Sequence, residues 1–179
     1  MRSLVRAGLA ALFAAAVVVA GAAAAGASSP ATAAGRTWHR IRPMPPLTFP
    51  CPQGFEARIV PVRFDVWETS SALRNGDVAT FDKGPDHVRV TNKSTGVSVV
   101  ENVSGPTLEV QRPNGSFLLV SGGRTMILLT PAQARAVGQP ALAGINVIAG
   151  RTESTFDSSL TLTSLRYSGQ VTDVCALLS

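Results

Sequence analysis

Turn signals cut most of this chain into runs too short for helices. Asn75-Gly76, Gly84-Pro85, the stretch 92–96, Gly105-Pro106, Pro113-Asn114-Gly115, Gly122-Gly123 and Gly169 are all positions where Gly, Pro or Asn favours a turn or a break. Between them lie runs rich in Val, Leu, Ile, Phe and Thr, at 87–91, 97–103, 107–111, 116–120, 124–129, 145–148, 152–157, 160–167 and 171–177. A weaker run covers 78–81. The stretch 57–67 alternates, with Val60, Val62, Phe64 and Val66 on one face and Pro61, Arg63, Asp65 and Trp67 on the other. Short strands at this spacing predict a barrel or a sandwich. The links are too short for parallel crossovers, so the sheet is antiparallel. One helix is expected after Thr130-Pro131, a capping hydroxyl followed by Pro at the first helical position. The fold class is therefore all-β, an antiparallel meander of about eight strands with one short helix.

The amino terminus has a different character. Arg2 and Arg6 precede an apolar stretch from Ala7 to Ala27, and Ala31-Thr32-Ala33 follows Ser28, Ser29 and Pro30. A basic start, an apolar core and small residues before the cut define a secretory signal peptide over 1–34. The expected cut follows Ala33 or Ala34, and Ala25-Gly26-Ala27 also fits. An uncleaved anchor is the alternative reading, but the stretch is mostly Ala and leads into a processing site. No stable membrane anchor is expected after cleavage, and the product is expected outside the cell. Residues 35–54 carry Pro43, Pro45, Pro46, Pro50 and Pro52, which forbid a helix or a central strand. They read as an extended leader, with Trp38 and His39 its distinctive side chains. A single β domain is expected over 55–179.

Export gives the two cysteines their meaning. Outside the cytoplasm, Cys51 and Cys175 are expected to form a disulfide. That bond ties the start of the domain to its last predicted strand, since bridged Cα atoms lie within roughly 7 Å. A meander with joined ends is most simply a closed or nearly closed barrel, and a two-sheet sandwich is the alternative.

Several segments together resemble a group of small secreted proteins of actinobacteria. They are Cys51-Pro52, the stretches 88–92 and 102–106, and above all the ending Val171-Thr172-Asp173-Val174-Cys175-Ala176-Leu177-Leu178. The resemblance covers most of 51–178 and implies export and a common fold. It brings no catalytic motif, and Glu101 stands where the resemblance would place an apolar residue.

Composition excludes some partners. Loss of Arg2 and Arg6 leaves 14 basic residues against 11 acids, lowering the net charge from +5 to +3. The arginines are spread along the chain with no cluster resembling a nucleic-acid footprint, so no nucleic-acid partner is expected. With His39 and His87 the only histidines, no metal site is expected, and no motif calls for a cofactor. Three candidate sites remain. Glu101 follows Val97 and Val99 at period two, so alternation places it inward, where a carboxyl could act as acid or base, unless a bulge or the strand end turns it to solvent. Asp86-His87 pairs an acid with an imidazole. Trp67 and Arg63 share a strand face and could line a sugar or aromatic site. The leading functional expectation is a non-enzymatic secreted domain that binds a small apolar ligand or a cell-envelope component. The alternative is a small barrel enzyme of cyclase or isomerase type using Glu101 or His87.

Overall fold

The computed structural model describes residues 37–179, and the predicted signal peptide lies outside the described residues. The leader supplies two edge strands, β1 (His39–Arg40) and β2 (Leu47–Pro50). Then follow β3 (Glu56–Phe64), β4 (Trp67–Ala72), β5 (Val78–Lys83), β6 (Asp86–Asn92), β7 (Ser98–Asn102) and β8 (Thr107–Gln111). The three long strands are β9 (Phe117–Leu129), β10 (Gly144–Phe156) and β11 (Leu162–Asp173). All pairings are antiparallel. One sheet has the order β1-β4-β5-β8-β9-β10-β11, and the other the order β2-β3-β6-β7.

These two orders conceal one meander. β1 leads to β2, β3 to β4, β5 to β6 and β7 to β8 across short corners, each crossing from one sheet to the other. Counted through the corners, every hydrogen-bonded neighbour is the next strand in the chain. The expected barrel is not formed. The ladder splits because the chain turns away at the corners of β1/β2, β3/β4, β5/β6 and β7/β8, while β9, β10 and β11 stay in one sheet throughout. Below the corners, Ala57, Ile59, Val88 and Val90 of the small sheet pack in one cluster with Ile145 and Val147 of β10. The result is two antiparallel sheets, as in the sandwich alternative.

A row of glycines marks the bend. Gly123, Gly150 and Gly169 are direct partners across β9, β10 and β11, and Gly84 and Gly105 sit at two of the corners. At Gly84, Gly105, Gly150 and Gly169 backbones approach too closely for a Cβ, and at Gly123 the space is tight. A methyl at Gly150 would overlap the Ser168 carbonyl, and one at Gly169 the Ala149 carbonyl. Glycine inside a strand often marks such a bend rather than an end. Two predicted breaks, at Gly122-Gly123 and Gly169, are therefore bends within single long strands, and the runs on either side of Gly150 are one strand.

Two further expectations are corrected. The alternation in β3 changes phase, so Ala57 and Ile59 are buried while Val62 is 44% exposed. A register shift between Pro61 and Arg63 inserts the extra residue, at a proline that cannot donate to the ladder. The last strand ends at Asp173, and Val174–Leu177 is a helix, α2. Asp173 caps it, its carboxylate accepting from the Ala176 N–H at 3.0 Å. The disulfide Cys51–Cys175, Cα to Cα 5.7 Å, thus joins the residue after β2 to this terminal helix. The predicted helix, α1 (Pro131–Ala136), is present with a full capping box between Thr130 and Gln133. A single 3-10 turn (Pro140–Leu142) follows it.

Candidate binding cleft

Pairing of β1 with β4 sets Arg40 beside Trp67, and Trp67 pairs in turn with Lys83 of β5. These three side chains therefore stand on one face of the large sheet. Trp38, just before β1, lies edge-on to Phe81, with centroids 6.0 Å apart at 77°. The Lys83 ammonium sits 4.5 Å from the centre of the Trp38 ring, a cation–π arrangement. Arg40 holds Asp65 at 3.0 Å. Between these groups is an open cleft of about 390 Å³, lined by Trp38, Asp65, Trp67, Lys83, Gly84 and Pro85. Trp67 is 42% exposed, an unusual state for an indole that no partner covers. The cleft offers two indole surfaces, one ammonium and one carboxylate.

Of the predicted pair, Trp67 lines this cleft and Arg63 does not. Arg63 lies in the small sheet opposite His87, because the corner after Phe64 sends the chain into the other sheet. Trp38 was visible in the sequence, but only strand pairing shows that it shares a site with Trp67.

Glu101 does face inward, level with Val88 of β6, and its side chain is 12% exposed. Its carboxylate accepts a 2.8 Å bond from Arg124, whose Nε also donates to the Asn102 carbonyl at 2.8 Å. Arg124 belongs to β9, in the other sheet. The pair therefore bridges the seam where the ladder between β7 and β9 has opened.

Asp86 and His87 are adjacent in β6 and point to opposite faces. Burial pushes the Asp86 carboxyl up, against the lowering effect of His87. One of its oxygens is buried without a hydrogen-bond partner. A second, smaller cavity of about 120 Å³ lies at the corners, and Asp82, Asp86 and Thr107 contribute its polar lining.

Sequence reasoning singled out Asp86 but missed Asp82, the other acid of that cavity, and the row it belongs to. His39, Glu68, Asp82, Thr107, Ser121, Thr152 and Tyr167 are successive register partners across all seven strands. His39 meets Glu68 at 3.0 Å, and Thr107 meets Ser121 at 3.2 Å. Burial raises Asp82 to about 6, with Glu68 adding to the rise and a hydrogen bond from Thr107 opposing it. Glu109 is also raised, by burial first and then by Asp82 and Glu68. Among the described residues, no three His, Cys, Asp or Glu side chains gather as a metal site, and no helix is long and apolar enough to cross a membrane. Compared with family models, curated proteins and solved structures, the chain matches none.

Proposed function

We propose that the chain is exported and that its β domain is a non-enzymatic binding module, holding a cell-envelope glycan in the Trp38–Trp67 cleft. The observation that carries this reading is the pair of indoles at one open cleft, with Lys83 and Asp65 at its margin. Sugar rings present apolar C–H faces that rest on aromatic rings, and their hydroxyls need a few placed donors and acceptors. The signal-peptide pattern, the disulfide and the resemblance to secreted proteins support the address. The enzyme alternative has less support. Glu101 is engaged by Arg124, and His87 lies on the outward face of its strand, apart from Asp86.

The cleft carries its own reporter, because the chain's two tryptophans both line it. Soluble envelope glycan fragments, titrated into protein collected from the growth medium, should shift its intrinsic fluorescence. Trp67→Ala should weaken binding by at least tenfold, as loss of an aromatic anchor does, with little change in melting temperature. No fluorescence change with any fragment at millimolar concentration would sink the reading.

A further inference from the structure

The arginines look scattered along the chain, but folding gathers three of them. Arg58, Arg63 and Arg89 all lie in β3 and β6, at positions exposed on the small sheet. Register sets Arg89 between Val60 and Val100 in one row. Arg58 lies in the next row beside Thr91 and Ser98. Arg63 lies on the other side, in the row of His87 and Asn102. These three rows hold no carboxylate. Glu56, at the margin, is neutralised by Lys93 at 2.7 Å. None of the ion pairs among the described residues engages Arg58, Arg63 or Arg89. On the same strands, Val62 is 44% and Val100 53% exposed. Three unmatched guanidinium groups and two bare isopropyl groups thus share one strand-built face.

We propose that this outer face of the four-stranded sheet docks on an anionic lipid surface. Guanidinium groups pair bidentately with phosphates. Each basic side chain near an anionic leaflet contributes about 1 kcal/mol, or about fivefold in partitioning. The valines decide the kind of surface. An acidic polysaccharide would match the charge but leave the isopropyl groups in water, whereas a bilayer interface takes up both. The face lies on the small sheet, and the indole cleft is built mainly on the large one, so the proposal does not depend on the glycan reading.

The test is co-sedimentation of protein recovered from the growth medium with vesicles of phosphatidylglycerol and phosphatidylcholine, against pure phosphatidylcholine. Binding is expected only to the anionic vesicles and should fall as salt rises. R89Q should weaken it about fivefold, and R58Q/R63Q/R89Q roughly a hundredfold. V62S/V100S should weaken vesicle binding several-fold while leaving its salt dependence intact. All five positions point outward, so melting temperatures should match the parent, and the salt series tests the charge term without any substitution. Equal vesicle binding by the triple variant would overturn the proposal. So would V62S/V100S binding like the parent together with equal capture by soluble polygalacturonate, because the face would then read charge alone.

Discussion

The same strands build two unlike interiors on either side of the glycine row. Below it, Ala57, Ile59, Val88, Val90, Ile145 and Val147 close on one another with Cys175 and Leu178, and the inward-facing Glu101, paired with Arg124, lies beside Val88. Above it, the partners at the same depth are Glu68, Asp82, Thr107, Ser121 and Thr152, with Ser121 and Thr152 almost wholly buried. The lower half gains stability from apolar burial, at roughly 25 cal/mol per Å², and from a covalent tie. The upper half adds hydrogen bonds and raised acids to an apolar end of its own, where Phe117 stacks on Phe156 beside buried Leu162 and Leu165. The comparison teaches that one meander can keep its covalent tie at one end and its row of raised acids at the other. The bend between them lets both share the same strands.

The largest test of this division is removal of the tie. The disulfide spans 124 residues, and the chain-entropy model gives such a loop about 4–5 kcal/mol. C51A/C175A should lower the unfolding free energy by about that amount in a urea melt. A loss below about 1 kcal/mol would mean that the lower half does not rely on its tie. Next comes the bend itself. Gly150→Ala places a methyl against the Ser168 carbonyl, and backbone has little freedom to yield. It should cost roughly 3 kcal/mol, measured in the same melts. A neutral effect would mean the strands can separate at the bend, and the two halves would then not be joined rigidly.

How much of this could be read from the residues depends on range. Local signals were legible: the short strands, the cap at Thr130 and the pairing of the only two cysteines, whereas the leader, read as an extended segment outside the domain, supplies an edge strand to each sheet. Glycine was legible as a feature but ambiguous in meaning. Gly122-Gly123 and Gly169 give the same local signal whether a strand ends or bends, and only neighbouring glycines in register distinguish the two. Sites fared worse because they form across strands. Trp38 and Trp67 meet through pairing of β1 with β4. Arg63 and Trp67 share an alternation in the sequence, but the corner between them separates them. Glu101 could be read as inward by alternation or as turned to solvent by a bulge or strand end, and the partner that holds it inward, Arg124, comes from the other sheet. Asp82 and Glu109 sit in short runs that read as ordinary half-exposed strands until the register sets Asp82 against Glu68 and Glu109 in the next row on the same face.

The smallest effect has the most specific signature, because it distinguishes the halves by pH. In the folded protein Asp82 keeps its proton up to about 6, against about 3.9 in an unfolded chain. Between those values the folded form binds more protons than the unfolded form, so stability falls as pH rises. The contribution is complete below about pH 4 and lost above about pH 6. Asp86 and Glu109, also raised chiefly by burial, act in the same direction. The Asp82 carboxyl keeps some contact with solvent, which reduces its share to on the order of 1 kcal/mol. The parent should therefore melt about 3 °C higher at pH 4 than at pH 8 from this group, and about half of that remains at pH 5. Asp82→Asn keeps the shape and removes the titration, so it should flatten most of that slope and raise stability at pH 8. Ile59→Val, in the apolar cluster, should lower the curve at both pH values without changing its slope. If Asp82→Asn left the slope intact, the polar row would not be the source of the pH response, and the contrast between the two interiors would be one of packing alone.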